Sequence, residues 1–345
     1  MAELAGVSQA TVSRVLNGRA GVAEATRREV LRALHQLGYE PVGVGRARRT
    51  GLVGLIVPEL DNPVFPRFAQ AIENSLAAEG LTTVLCTSTP SGMGESDYLD
   101  VLIDHAVTGI VVVSGEHADT SADQGRYHDL AARHLPTVLV NGTRPELGLP
   151  SVTVDHVAAG QQAVRHLAAL GHTRIGLAVG PRRYVPSIGL VEGYLTGLAT
   201  ARLPADESLV SETLYGIEGG HVAGARLLDR GVTGIVCASD RMAYGVMRAA
   251  REVDLRVPDD LSVVGFDDAG PNAYVEPPLT AVQQPFERMA AAIVRLLTEA
   301  IAEPSTPPSA LRFRPELVVR ASTAPAPDRV VVVDSQAVPQ AAPQS

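Results

Sequence analysis

Lysine is missing from this chain: all 29 basic residues are arginine, a bias that points to a GC-rich coding sequence more than to any chemistry. Cysteine is nearly missing too. Cys86 and Cys237 both lie in apolar, strand-like runs, "TTVLCTS" and "GIVCAS", which suits buried reduced thiols and argues against a disulfide. No apolar run approaches the roughly 18 residues of a membrane span and no charged-then-apolar leader precedes a cleavage site, so the expectation is a soluble, cytoplasmic protein with no membrane partner. The nine histidines contain no i, i+4 pair, which removes the helical ligand pair of a zincin, and no nucleophile stands beside a recognisable base. The carboxylate pair Asp267 and Asp268 sits on a strand whose neighbours face opposite ways. No metal, cofactor or catalysis is expected.

With 345 residues the chain is long enough for two or three domains and a large core. Its net charge of −9 is unevenly spread. Residues 1–50 carry eight Arg against four Glu, about +4, leaving about −13 for the rest. A positive end suits phosphate or an ordinary solvated face equally well.

The pattern inside that end decides between them. In "ELAGVSQATVSRVLNG", Gly6 and Ser8 interrupt the apolar residues Leu4, Ala5, Val7, Val12, Val15 and Leu16. That spells a helix end, a tight turn, and a second helix that Ser8 can cap. In a helix-turn-helix the second helix enters the major groove and presents its N-terminal residues to base edges, here Gln9, Ala10 and Arg14. Gln pairs bidentately with adenine, Arg with guanine, and Ala meets a thymine methyl. Ser8, Thr11, Ser13 and Asn17 suit phosphate oxygens, which set register. A third amphipathic helix follows in "TRREVLRALHQLGY", with Val30, Leu34 and Leu37 on one face and Arg27, Arg28 and Arg32 off it. The bland alternative is a helical hairpin with a polar face.

From Leu52 onward, short apolar runs alternate with amphipathic segments: "LVGLIVPEL", "TTVLCTS", "GIVVVSG" and "TVLVNG" are strands, and the stretches near 66–79, 95–106 and 123–134 are helices. The pattern restarts at "SVTVDH" and runs through "RIGLAVG", "LVSETLY", "GIVCAS" and "LSVVGFDD". Such alternation gives two doubly wound parallel α/β lobes. Ligands bind such sheets outside the carboxyl ends of the strands, so the candidate lining is Pro58, Asn62, Phe65, Ser114, Asn141, Asp155, Tyr184, Ser187, Tyr215, Ser239, Asp240, Asp267 and Gln284. Aspartates gripping paired hydroxyls over an aromatic face suit a sugar-like ligand, with Phe65 and Tyr215 as stacking faces. Asp240, before "RMAYGVM", suits a helix N-cap equally well.

"AELAGVSQATVSRVLNG", "TRREVLRALHQLGYEP", "GLVGLIVPELDNPVF", "HLAALGHTRIG", "ASDRMAYGVM", "LSVVGFDD", "PPLTAVQQP" and "ELVVRAST" together resemble, in order and over nearly the whole chain, the LacI/GalR family of transcription regulators. The resemblance implies a helix-turn-helix headpiece at 1–40, a basic hinge at 41–51, and an effector-binding core at 52–320 of the periplasmic-binding-protein type. Within the core it implies lobe 1 at 52–152 and 282–320 and lobe 2 at 153–281, joined by three crossings. It supports Asp240 and Asp267 as effector contacts. Family members usually begin a few residues earlier, with Val where Met1 stands, so a start assigned too late, with half of the first helix missing, is expected.

Two departures stand out. The hinge segment "VGVGRARRTG" is short, lacks the family's leucine wedge, and carries Gly43 and Gly45, each costing a helix roughly 1 kcal/mol relative to alanine; Arg46, Arg48 and Arg49 remain for phosphates or the minor groove. The segment "SIGLVEGY" has Ile188 and Leu190 where the family carries arginines, which disfavours an anionic effector and also weakens the sugar inference. The tail at 321–345, rich in Pro, Ala and Gln, has no leucine heptads and is expected to be disordered. The implied function is a DNA-binding regulator, a homodimer on a palindromic operator, controlled by a small-molecule effector. The rival reading is a sugar-binding carrier of the same two-lobed shape.

Overall fold

The computed structural model describes residues 6–16, isolated positions between 22 and 33, and residues 51–328 apart from 89–91, 143 and 306. Helix α1 spans Gln9–Leu16. Val12 and Val15, three residues apart on one face, are buried with Val30, and Val7 and Val22 pack against them. This small apolar cluster gathers residues from both helical segments read in the sequence.

Past residue 51, the first lobe runs β1 (Leu52–Val57), α2 (Val64–Ala78), β2 (Thr82–Thr87), α3 (Glu95–Asp104), β3 (Gly109–Val113), α4 (Gly125–Ala132), β4 (Thr137–Val140) and β5 (Ser151–Val154). The second runs α5 (His156–Ala169), β6 (Ile175–Val179), α6 (Val185–Thr200), β7 (Val210–Glu212), α7 (Ile217–Leu228), β8 (Gly234–Cys237), α8 (Asp240–Glu252), β9 (Ser262–Asp267) and β10 (Thr280–Gln283). Then follow α9 (Phe286–Ala302), β11 (Ala310–Phe313) and β12 (Glu316–Val318). The β-branched run "GIVVV" of β3 is buried at every position, as a parallel strand covered by helices on both faces must be.

Two six-stranded sheets result, ordered β11-β5-β4-β3-β1-β2 and β12-β10-β9-β8-β6-β7. All pairings are parallel except β10 with β12. Helices α5 and α6 pack so closely that a Cβ on Gly193 would fall 2.2 Å from the Val157 carbonyl oxygen. Helices α7 and α8 repeat the device: a Cβ on Gly245 would lie 2.0 Å from the Ile217 carbonyl. Glycine is the residue that permits such backbone contact, and it fixes where α6 and α8 aim their N-termini.

The sheets correct three expectations. The strand in "SVTVDH" does not open the second lobe. It completes the first sheet, where Val140 pairs with Val152, and the chain crosses between β5 and α5. Likewise, the segment returning to the first lobe is 286–313 rather than 282–320. Strand β10 extends the ladder of β9, with Gln283 opposite Asp267, and β12 pairs back onto β10. Finally, residues 321–328 are not a loose tail. Ser322 is fully buried; its hydroxyl donates to the Val263 carbonyl at 2.6 Å and accepts from the Thr280 N–H at 2.8 Å, and the Ala326 N–H donates to Leu170 O at 2.8 Å. Buried main-chain groups at a sheet margin need partners, and this strap supplies them. Residues 329–345 lie outside the described residues. Cys86 and Cys237 are buried free thiols.

Candidate DNA-reading helix and interlobe cleft

Gly6 adopts φ +61°, the left-handed conformation that a tight turn requires and glycine allows. Ser8 then caps α1: the Thr11 N–H donates to Ser8 Oγ at 3.2 Å, and the Val12 N–H donates to the Ser8 carbonyl at 3.0 Å. The Ser8 and Thr11 hydroxyls lie 2.9 Å apart. Ser8 and Gln9 are exposed and Thr11 half-buried, while Val12 and Val15 turn inward. The start of the helix is therefore ordered by its own cap and open to solvent. For Ala10, Ser13 and Arg14 only the helical backbone is described; Asn17, Arg46, Arg48 and Arg49 lie outside the described residues.

In the second lobe, Asp267 ends β9 at φ +103°, a strained conformation for a residue with a Cβ. It is buried, and Gln284 Nε2 donates to its Oδ1 at 2.7 Å. Asp240 stands at the first position of α8 and accepts from the Ala269 N–H at 3.2 Å. The reading of Asp240 as the N-cap is corrected by one residue: Ser239 Oγ accepts from the Met242 N–H at 3.2 Å. The cap thus uses the serine, and the Asp240 carboxylate bonds the Ala269 N–H instead. Burial pushes the Asp240 carboxyl up to about 7. Burial first, and then the charge of Asp240, raise Asp267 as well. Their neighbour Asp268 belongs elsewhere. Arg320 clamps it with two nitrogens at 2.8 and 2.9 Å, and Asn272 Nδ2 and Gln283 Nε2 each donate to it at 2.9 Å.

An aromatic wall adjoins this acidic pair. The hydroxyls of Ser187 and Tyr215 lie 2.8 Å apart, and the Tyr215 ring lies so close over Gly180 that a Cβ there would be 2.1 Å from it. Tyr184 sits 6.4 Å from Tyr215, ring to ring.

From the first lobe, Ser114 and Asn141 follow β3 and β4 at φ +49° and +61°. Asn141 is buried, whereas Pro58, Asn62, Phe65 and Ser114 are half-buried. Phe65 packs against the lobe core, and Asn62 turns the chain into α2, accepting from the Phe65 N–H at 3.1 Å. Asp155 is committed to the helix that follows it. Its Oδ1 caps α5 by accepting from the Ala158 N–H at 2.9 Å, and it borders a separate pocket of about 370 Å³ with His156, Ile188, Glu192 and Arg312 beside the interlobe crossing.

Three buried atoms of this group have no hydrogen-bond partner among the described residues: Asn141 Oδ1, Asp240 Oδ1 and Gln284 Oε1. All three are acceptors. Leaving such atoms unpaired costs about 1–3 kcal/mol each.

Sequence reasoning missed the residues that join the lobes. Glu59 after β1 meets Arg241 of α8 at 3.5 Å, and Asp119 after β3 meets Arg183 before α6 at 2.8 Å. The partners stand 182 and 64 positions apart, and no local pattern marks them.

The description "Bacterial regulatory proteins, lacI family" fits residues 1–42, and "Periplasmic binding protein-like domain" fits residues 164–323. The HTH-type transcriptional regulator reg1 of Streptomyces lividans is 50% identical over 333 residues, covering 95% of this chain and 96% of its own. The chain belongs to the LacI family. Among solved structures, the transcriptional regulator CelR–cellobiose complex is 34% identical with a TM-score of 0.72, over 93% of this chain and 98% of that one. The lac repressor dimer bound to operator and the anti-inducer ONPF is 28% identical with a TM-score of 0.70, over 94% and 97%. This LacI-family protein is a DNA-binding transcriptional regulator, and the carrier reading falls away. Its relatives are named as regulators, not as enzymes. Among the described residues, no helix is long and apolar enough to cross a membrane.

Proposed function

We propose that the interlobe cleft takes a neutral, polyhydroxylated effector, a sugar, whose binding sets the affinity of the headpieces for operator DNA. The observation that carries this is two buried acceptors without partners among the described residues, Asn141 Oδ1 and Gln284 Oε1, the latter on the side chain that bonds the buried carboxyl of Asp267. Sugar hydroxyls are the donors such a set lacks. An anion would find no guanidinium at Ile188 and Leu190, where the family carries arginines. Tyr184 and Tyr215 supply an aromatic face, Ser187 positions the latter, and Pro58, Asn62, Phe65 and Ser114 face them from the other lobe. Asp155 and Ser239 act through the helices they cap. The bound cellobiose of the CelR structure supports the ligand class.

On DNA, Gln9, Ala10 and Arg14 read base edges, while Ser8, Thr11, Ser13, Asn17, Arg46, Arg48 and Arg49 hold phosphates. One headpiece makes too few contacts for useful specificity, so a cytoplasmic homodimer on a palindromic operator completes the reading. The lac repressor dimer on its operator supports it. The effector prefers one lobe arrangement, and that preference shifts headpiece spacing.

The test is calorimetry of the full chain with glucose, maltose, cellobiose and glucose 6-phosphate, followed by titration of a selected palindromic duplex at several salt concentrations. A neutral sugar should bind and change duplex affinity, and that affinity should fall with salt. Preference for the phosphorylated sugar, or saturation without effect on the duplex, would overturn the reading.

A further inference from the structure

Residues 119–120 and 183–184 form a short antiparallel bridge between the lobes, Asp119 opposite Tyr184. The Thr120 N–H and its hydroxyl both donate to the Arg183 carbonyl at 2.8 Å. Arg183 Nε donates to Asp119 Oδ2 at 2.8 Å, and the guanidinium lies 4.8 Å from the centre of the Tyr184 ring. We propose that this bridge is a latch across the mouth of the cleft, and that Asp119, Thr120 and Arg183 are positioning residues that retain the effector and limit its length.

The inference rests on the sugar reading of the cleft and adds to it. Both halves of the latch adjoin the lining. Tyr184, next to Arg183, faces Tyr215 across 6.4 Å. On the other lobe, His117 Nε2 bonds the Val140 carbonyl at 3.2 Å, next to Asn141. The loop that carries Asp119 and Thr120 is held from beneath: the His117 N–H donates to Tyr127 Oη at 3.1 Å, Tyr127 donates to Glu95, and the Glu116 N–H donates to Glu95 Oε2 at 3.0 Å. Asp119 Oδ1 also accepts from the Ser121 N–H at 2.9 Å. A loop already fixed loses little entropy when the latch closes. A ligand enclosed behind the bridge leaves at this end only when the bridge breaks, and a sugar chain too long for the space holds it open. The geometry therefore favours short sugars over oligosaccharides.

Arg183 is largely exposed, so its replacement leaves the fold in place. In the full-length protein without ligand, Arg183→Ala combined with Thr120→Val should speed hydrogen exchange at residue 120 about fivefold or more, leaving the His117 amide unchanged. Arg183→Lys should restore part of the protection. Against glucose, maltose, cellobiose and the tetrasaccharides of both linkages, the double variant should release the bound sugar about fivefold faster and lose discrimination against tetrasaccharides. Unchanged exchange at residue 120 overturns the latch. Faster exchange with unaltered release rates and length preference overturns its role in retention. If wild type binds none of these sugars, the sugar reading fails, while exchange and the opening of the lobes, followed by small-angle scattering, still decide whether a latch exists.

Discussion

Replacing Asp240 with asparagine removes one of two carboxyls that share a buried site, and the consequence is a change in how stability depends on pH. In wild type, burial lifts Asp240 from 3.8 to about 7 and raises Asp267 in the same direction. A carboxyl whose folded pKa lies above its unfolded value binds more protons in the native state. Stability is then fullest below the unfolded pKa and falls as pH rises toward the folded one. The window runs from about 4 to about 7. One pKa unit is worth about 1.4 kcal/mol, so a rise of about three units makes the Asp240 carboxyl alone cost the wild type on the order of 4 kcal/mol of stability across it. His117 slopes the other way: its imidazole is buried and pushed down to about 4, so its contribution is present at neutral pH and is lost as pH falls from 6.5 toward 4. The difference between wild type and Asp240→Asn cancels that term. Urea unfolding of both proteins at pH 4.5, 5.5, 6.5 and 7.5 reads it directly. Asp240→Asn should be the more stable protein at pH 7.5, with the gap closing toward pH 4.5. Parallel profiles would show that Asp240 titrates like an exposed aspartate and that the acidic group is not desolvated.

Ser8→Ala removes the cap of α1 and should weaken operator binding by about 1 kcal/mol, read by fluorescence anisotropy; Ser8→Asp, which caps equally well but brings negative charge, separates helix order from phosphate contact. Arg14→Ala should cost about 1–3 kcal/mol of discrimination at one base pair, whereas Arg46→Ala should lower affinity evenly across sequences. Equal losses on operator and random DNA for Arg14→Ala would contradict its assignment. Arg320→Ala strands Asp268, whose side chain is 4% exposed, and should destabilise the core by about 3–5 kcal/mol, which thermal unfolding would report; a loss under 1 kcal/mol would mean that Asn272 and Gln283 suffice.

Much of the cleft was legible because strand ends mark themselves locally. "GIVVV" and "TVLV" are apolar runs that stop at Ser114 and Asn141, and the fold brings those positions to one edge. The roles were harder to read. Asp267 and Asp268 are adjacent, yet only the partner at residue 320 shows which is committed to structure. Ser239 and Asp240 are both competent caps, and the geometry of α8 chose the serine. Asp155 follows a strand just as Asp267 does, but its side chain is committed to the cap of α5.

The sequence by itself determined the turn and cap that order α1, the apolar faces of the helices, and which runs become strands. These follow from hydrogen bonds and side-chain periodicity that act within a few residues. Only the tertiary structure decided which sheet β5, β10 and β12 join, which carboxyl Arg320 clamps, and that Asp119 meets Arg183 across the cleft. Each of those outcomes depends on partners far apart along the chain, and their energies exist only once both lobes have closed around them.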